Sequence, residues 1–157
     1  MTLYGYFRSS TSYRTRIAMN LKQLDYDYIA VNLAKDEQLE AAFQSINPQG
    51  LVPVLQVDDL WLYQSPAILE WLEEVYPEHP LLPKDVAARM QVRALSAMIG
   101  CDIHPLNNRR ILQYLRNELS VDEAKVMTWC QRWMNEGFAA LEKRLAQDKT
   151  RGKFCYG

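Results

Sequence analysis

The sequence of 157 residues is poor in cysteine and histidine, and its charges nearly cancel. Its three cysteines, Cys101, Cys130 and Cys155, are odd in number and widely spaced, with no Cys-x-x-Cys pair. Reduced thiols therefore fit the pattern better than a disulfide framework or a zinc site. The two histidines lie far apart in the chain and no carboxylate cluster has ligand spacing, so no metal site is expected.

The sequence also lacks a strong charge of either sign and a long apolar run. A net charge of −1, from 18 basic and 19 acidic residues, excludes a global basic field, so neither nucleic acid nor a membrane surface is an expected partner. No segment approaches the roughly 18 apolar residues that span a bilayer, and the first ten residues lack the apolar core of a signal peptide. We therefore expect a cytoplasmic protein.

What the sequence does contain is a change of pattern near its middle. Strand-like and helix-like segments alternate through residues 1–76, three prolines fall within 77–83, and only helical periodicity follows in 84–157. We interpret 77–83 as a stiff linker between an α/β domain and an all-α domain. The α/β domain is predicted to form a mixed four-stranded sheet with helices packed on it. Its predicted elements, in the order β-α-β-α-β-β-α, span residues 3–7, 11–24, 26–32, 36–46, 52–57, 60–63 and 65–75.

A run of hydroxyl side chains lies where the first helix is predicted to begin. Ser9, Ser10 and Thr11 follow Arg8 there, between a short apolar strand and a helical pattern. Such a helix start carries unsatisfied N–H groups and the positive end of the helix dipole, and it attracts anions. An ordinary N-cap is the alternative interpretation of the same residues.

Two further segments carry a recognisable pattern. Pro53 cannot donate to a strand ladder, so Val52-Pro53 is predicted at an edge or a bend whose backbone can face a peptide-like ligand. The sequence does not decide whether this peptide bond is cis or trans. Gln64-Ser65-Pro66 is typical of a helix start, with Ser65 as the N-cap and Pro66 at the first helical position. A well-capped helix without any ligand explains this segment equally well.

Taken together, these segments resemble the zeta class of the glutathione transferase superfamily. The Ser-Ser-Cys-x-x-Arg signature of that class is similar to residues 9–14 here, which read Ser-Ser-Thr-Ser-Tyr-Arg. The resemblance extends through residues 52–53, 64–65 and 100–110, and covers effectively the whole chain. It implies a thioredoxin-like first domain, an all-helical second domain and a homodimer. Family members carry further helices beyond the position of Gly157, so the C-terminus is expected to be incomplete.

The resemblance implies reduced glutathione as the cofactor. Ser9, Ser10 and Thr11 would then lie beside its sulfur as the catalytic residues, with Ser10 donating a hydrogen bond to the thiolate and Thr11 or Ser9 assisting. The residues implied to contact glutathione are Ser9, Ser10, Thr11, Gln38, Val52, Pro53, Gln64, Ser65, Asp102, His104 and Asn108.

The resemblance also assigns parts of glutathione to segments of the chain. The backbone of Val52 is implied to pair with the cysteinyl unit. Gln64 and Ser65 are implied to hold the γ-glutamyl end, and Gln38 to reach the glycyl end. The second domain would complete the pocket and bind the second substrate, with Arg8 contributing from the first domain. The residues implied to bind that substrate are Arg8, Asn108, Arg109 and Arg110.

The activity implied by the resemblance is a glutathione-dependent cis–trans isomerisation in the catabolism of aromatic compounds. Zeta members include maleylacetoacetate isomerase and the bacterial maleylpyruvate isomerases, and Thr11 together with the Asn-Asn-Arg-Arg run at 107–110 looks most like the latter. The substrate would be a small dicarboxylate keto acid, isomerised by thiolate addition, bond rotation and elimination. A general glutathione transferase or peroxidase and a non-catalytic binding module stay open as alternatives. The choice between maleylacetoacetate and maleylpyruvate also stays open.

Overall fold

The chain folds into two units, Met1–Leu82 and Pro83–Gly157, in a computed structural model that describes residues 1–149 and 151–157. The first unit contains a four-stranded sheet built from β1 (Thr2–Gly5), β2 (Asp27–Ala30), β3 (Val54–Val57) and β4 (Leu60–Tyr63). The strand order is β2-β1-β3-β4, with β1 and β2 parallel and the other two pairs antiparallel. This arrangement confirms the predicted mixed four-stranded sheet.

Three helices of the first unit cover the two faces of this sheet: α1 (Ser10–Leu21), α2 (Ala41–Gln44) and α3 (Ser65–Val75). Because side chains alternate along a strand, Leu3 and its partner Leu55 share one face, and Tyr4 and its partner Val54 share the other. The first face packs against α1 and α3 in a fully buried core of Leu3, Ala18, Met19, Leu55, Ile68 and Leu72. The second face packs against α2 in a smaller core of Val31, Phe43, Val52 and Val54.

The helix predicted over 36–46 is wrong. The chain there forms two 3₁₀ turns, Leu33–Lys35 and Glu37–Leu39, before the single turn of α2. Asp36 adopts the left-handed conformation, with φ 58°, and interrupts any continuous helix. The amide of Asn32 donates to Glu37 Oε2 at 2.6 Å, so side-chain bonding competes with helical pairing. Elsewhere the bounds of β4 and α3 match the prediction, and other elements end a few residues earlier or later.

The second unit is helical throughout its regular structure, as predicted. Its elements are α4 (Val86–Ala97), a π-helical segment (Met98–Ile103), a 3₁₀ turn (Pro105–Asn107), α5 (Arg109–Asn117) and α6 (Glu123–Gln147). Across the described ranges, no helix combines the length and the apolar character that a membrane span requires.

Gly137 lies where α6 passes the π-helical segment. A Cβ atom there would overlap Cγ1 and Cδ1 of Ile103, whose side chain is buried. Alanine gains about 1 kcal/mol over glycine in helix propensity, but overpacking a filled contact costs about 1–3 kcal/mol. We expect Gly137→Ala to lower the free energy of unfolding, measured by urea denaturation.

A background that removes the obstructing atoms provides the control for this prediction. Ile103→Ala takes away both Cγ1 and Cδ1, so Gly137→Ala introduced into that variant is expected to be neutral or stabilising. An increase in stability from Gly137→Ala alone would show that α6 and the π-helical segment are not packed as described.

A buried ion pair between α3 and the residue after α1 fixes residues 76–82, which include most of the predicted linker. Lys22 Nζ lies 2.7 Å from Glu73 Oε2, and the two side chains are 0% and 8% exposed. Lys22 Nζ also donates to the carbonyls of Tyr76 and His79, and Glu73 accepts from the amides of Leu81 and Leu82.

Candidate functional site

Three segments of the first unit meet at one end of the sheet, where strands β1, β3 and β4 end or begin. In the antiparallel ladders Tyr4 pairs with Val54, and Val54 pairs with Tyr63. The end of β1, the start of β3 and the end of β4 therefore lie side by side. Because α1 follows β1 and α3 follows β4, both helix starts lie near the Val52-Pro53 segment that precedes β3.

The hydroxyl groups at the start of α1 form a directed chain of hydrogen bonds. Ser9 is the N-cap, and its Oγ accepts from the amide of Ser12 at 3.2 Å. Thr11 Oγ1 lies 2.8 Å from Ser9 Oγ and 3.0 Å from the carbonyl oxygen of Val52. A carbonyl only accepts, so Thr11 donates its one proton to Val52 and Ser9 donates to Thr11. Ser10, the first residue of α1, is exposed.

The loop between β1 and α1 is anchored by the buried hydroxyl of Ser12, and Arg16 packs on two tyrosine rings nearby. Ser12 Oγ accepts from the amide of Tyr6 at 3.3 Å, and the side chain of Ser12 is fully buried. The Arg16 guanidinium lies over the rings of Tyr13 and Tyr28, 5.2 and 5.8 Å from their centroids. Burial raises the pKa of Tyr28, and the positive charge of Arg16 opposes part of that change. Arg8, within this loop, is exposed.

The Val52-Pro53 segment is positioned by a polar turn that the sequence analysis missed. Its peptide bond is cis, and Val52 is buried. Asn47, 2% exposed, donates from Nδ2 to the carbonyl of Leu51 at 2.8 Å and accepts from the amide of Gln49 at 3.2 Å. An asparagine before proline in a turn is a known pattern for such backbone bonding, so the Asn-Pro-Gln-Gly run could have indicated this role.

The start of α3 carries the most unusual backbone conformation of the site. Gln64 has φ 67° and ψ 102°, a combination rare for residues other than glycine. The helix begins at Ser65, which is buried, and Pro66 follows it as the second helical residue. The predicted N-cap was therefore wrong by one position, because the cap falls on Gln64. Gln64 Nε2 donates to Gln49 Oε1 at 2.6 Å.

Gln38 lies in the 3₁₀ turn Glu37–Leu39 and is only 5% exposed. Its Nε2 donates to Asp36 Oδ1 at 3.0 Å. Within the described part of the chain, its Oε1 is buried without a hydrogen-bond partner. A buried acceptor of this kind is costly unless a further donor reaches it, so Gln38 retains unused bonding capacity.

The predicted site residues of the second unit cluster around the start of α5. Asn108 is the N-cap of this helix, and its Oδ1 accepts from the amide of Arg110 at 3.1 Å. Its Nδ2 lies 3.5 Å from His104 Nε2, and His104 is half-buried. Arg109 Nη1 donates to Gln113 Oε1 at 2.9 Å.

Two further predicted residues of this unit are exposed: Arg110 within α5, and Asp102 within the π-helical segment. A guanidinium group and an amide are both hydrogen-bond donors that suit a carboxylate, and Arg110 and Asn108 carry these groups at the start of α5. Among the described residues, no group of three or more histidines, cysteines, aspartates or glutamates is arranged to hold a metal ion.

Comparisons with known proteins agree with this architecture. Residues 8–75 match the family of glutathione S-transferase N-terminal domains. The fold of the first unit is therefore that of a glutathione S-transferase N-terminal domain. Over all 157 residues the chain is 54% identical to a maleylpyruvate isomerase from a Ralstonia species and covers 74% of that protein.

Solved structures give the same result. The chain aligns with a holo structure of maleylpyruvate isomerase, a bacterial glutathione S-transferase of the zeta class, with a TM-score of 0.98 and 54% identity, covering 100% of this chain and 74% of that one. It aligns with maleylacetoacetate isomerase from Methylobacterium extorquens AM1, with bound malonate and glutathione, with a TM-score of 0.97 and 36% identity, at the same coverage. The chain belongs to the zeta class of the glutathione transferase superfamily.

Proposed function

We propose that this chain catalyses the glutathione-dependent cis–trans isomerisation of a maleyl keto acid, maleylpyruvate or maleylacetoacetate, to its fumaryl isomer. The observation that carries the proposal is the meeting of the α1 start, Val52-Pro53 and Gln64-Ser65 at one end of the sheet. Identity of 54% to a maleylpyruvate isomerase supports the substrate class. The malonate and glutathione bound to a 36% identical relative support a thiol cofactor with a small dicarboxylate.

The start of α1 is proposed to stabilise the glutathione thiolate. A free thiol is only a few per cent ionised near neutrality, and lowering its pKa by about 2 requires about 2.7 kcal/mol. A hydroxyl donating to a charged acceptor supplies roughly 1.5–3 kcal/mol, and a helix N-terminus adds about 0.3–2 kcal/mol. Ser10 is proposed as the donor, because it is exposed at the first helical position. Ser9 and Thr11 position the helix start, since their protons are directed to Thr11 and Val52.

The remainder of glutathione is proposed to lie along the same end of the sheet. The backbone of Val52, beside Pro53, pairs with the cysteinyl unit. Gln64 and Ser65 bind the γ-glutamyl end, whose carboxylate suits the start of α3. Gln38 lies toward the glycyl end.

The proposed reaction needs no other reactant than glutathione and the keto acid. The thiolate sulfur adds to one carbon of the cis double bond, and the electron pair moves onto the conjugated carbonyl oxygen as an enolate. The former double bond is now a single bond and rotates. Collapse of the enolate expels the thiolate and re-forms the double bond in the trans geometry. Arg8, Asn108, Arg109 and Arg110 are proposed to bind the carboxylates and stabilise the enolate.

Removing a substrate-binding arginine is expected to weaken transition-state binding. Arg8→Ala and Arg110→Ala should each lower kcat/KM for the keto acid about tenfold, which corresponds to about 1.5 kcal/mol. This is the lower end of the range for a hydrogen bond to a charged group, and we expect it because both side chains are exposed to solvent. The control is Arg132→Ala, which removes an exposed arginine paired with Glu136 on α6 and should leave turnover unchanged. Unchanged kcat/KM in both test variants would remove these arginines from the site.

The experiment that tests the function is a set of absorbance assays on the purified chain. Maleylpyruvate and maleylacetoacetate are supplied with and without glutathione, beside chlorodinitrobenzene and a hydroperoxide. Isomerisation that requires glutathione without consuming it supports the proposal, and the faster keto acid identifies the substrate. Conjugation or peroxide reduction without isomerisation would favour a general transferase instead. Glutathione binding with no turnover would favour a binding module.

A homodimer and a cytoplasmic location complete the proposal. The homodimer rests on the zeta-class resemblance and is tested by light scattering after size exclusion. The location is supported by the three free cysteines and by the need for reduced glutathione, which a reducing compartment supplies.

A further inference from the structure

The turn over residues 47–51 is bonded to more than one part of the candidate site. On its inner side, buried Asn47 donates to the carbonyl of Leu51, directly before Val52. On its outer side, Gln49 Oε1 accepts from Gln64 Nε2 at 2.6 Å, across 15 residues of sequence. The same turn therefore contacts both the segment proposed for the cysteinyl unit and the segment proposed for the γ-glutamyl end.

Gln49 is held in a defined place by this turn. Its amide donates to Asn47 Oδ1 at 3.2 Å, and the amide of Gly50 donates to the carbonyl of Asn47 at 2.9 Å. Gly50 closes the turn with φ 60°, and a Cβ there would lie 3.0 Å from the carbonyl oxygen of Gln38. The backbone beneath the Gln49 side chain is thus fixed on both sides.

We propose that Gln49 is a positioning residue that orients the Gln64 amide for the γ-glutamyl end of glutathione. The inference rests on the proposed function, because it deepens the role assigned there to Gln64. With Nε2 bonded to Gln49, the Gln64 amide keeps one N–H and its Oε1 for a ligand. The γ-glutamyl end carries an α-carboxylate, which needs a hydrogen-bond donor, and an α-ammonium, which needs an acceptor.

The physical reason is preorganisation. A glutamine side chain at the surface samples several rotamers, and each immobilised side chain of this kind costs about 0.5–1.5 kcal/mol on binding. The hydrogen bond that Gln64 donates to Gln49 already immobilises the Gln64 side chain, so this cost does not arise when glutathione binds. Gln64 itself has a rare backbone conformation, with φ 67°, directly before the first residue of α3.

The test is a double-mutant cycle on the full chain with glutathione as the probe. Gln49→Met keeps the size of the side chain and removes the acceptor. It is expected to raise the dissociation constant for glutathione about three- to tenfold, the range for one neutral hydrogen bond, with kcat at saturating glutathione unchanged. In the Gln64→Ala background, Gln49→Met should cause no further loss. Gln44→Met, at an exposed glutamine on α2, is the matched control and should bind as the parent chain does.

A second probe separates positioning from general damage. Cysteinylglycine lacks the γ-glutamyl group, so Gln49→Met should bind it as the parent chain does. If Gln49→Met leaves the glutathione dissociation constant unchanged while Gln64→Ala weakens glutathione binding, the role of Gln49 alone is overturned. Additive losses in the double variant would do the same. Normal glutathione binding by Gln64→Ala would overturn the γ-glutamyl subsite of the proposed function, and the role of Gln49 with it.

Discussion

Replacing Ser10 by alanine is expected to raise the pKa of the bound glutathione thiol by about 1–2 pH units and to lower kcat/KM near neutrality about a hundredfold. The loss corresponds to one hydroxyl hydrogen bond to a charged acceptor, roughly 1.5–3 kcal/mol. Ser10 is the first residue of α1, and its side chain is exposed there. The dipole of α1 remains in the variant, so part of the pKa depression should survive.

The measurement is a titration of the thiolate ultraviolet absorbance with the chain saturated by glutathione. Ser10→Thr restores a hydroxyl and should recover most of the pKa depression. Thr11→Val is the matched control, because the hydroxyl of Thr11 donates its proton to the carbonyl of Val52. That variant should lose about 1 kcal/mol of stability while the thiol pKa changes little. A larger pKa rise in Thr11→Val than in Ser10→Ala would transfer the donor role to Thr11.

Removing the amine of Lys22 is expected to have the largest effect on stability. Lys22→Met should lower the free energy of unfolding of the first unit by about 3–5 kcal/mol, because it leaves an uncompensated buried charge on Glu73. It also removes the donor to the carbonyls of Tyr76 and His79. Urea unfolding measures the loss, followed by the fluorescence of Trp71, which packs against the core between the sheet and helices α1 and α3.

Two comparisons separate the charge from the packing. Combining Lys22→Met with Glu73→Leu removes both charges and should recover much of the stability lost in the single variant. Arg116→Ala breaks an exposed ion pair with Glu123 and should change unfolding far less. If Lys22→Met unfolds at the same urea concentration as the parent chain, the ion pair contributes nothing to the fold.

The pH dependence of stability follows from the same pair. Burial raises the pKa of Glu73, but hydrogen bonds from Lys22 and from the amides of Leu81 and Leu82 outweigh it, so the pKa lies below its ordinary value of 4.5. A carboxylate whose pKa is lowered by folding adds stability above its unfolded pKa, and that stability is lost as the pH falls through the folded value. We expect this loss below about pH 4.5 in the parent chain and a flatter acid profile in Lys22→Met.

The first unit shows why local pattern predicts some elements and fails at others. Strand alternation and helical spacing depend on neighbours within a few residues, so β4 and α3 appear at their predicted bounds. The region 36–46 has a helical pattern as well, but Asp36 adopts a left-handed conformation and Glu40 an extended one. The bond from the Asn32 amide to the Glu37 side chain spans Asp36 and competes with helical pairing there, and no periodicity measures that competition.

The sequence by itself determined the order of the elements, the mixed sheet, the family resemblance and the hydroxyl-rich start of α1, because each of these is encoded in short runs of residues. Only the tertiary structure decided that Thr11 donates to Val52, that Gln49 contacts Gln64, and that Lys22 pairs with Glu73. These pairs are 41, 15 and 51 residues apart, and the direction of each hydrogen bond depends on which groups the folded backbone brings within about 3 Å. Distance along the chain carries no such information.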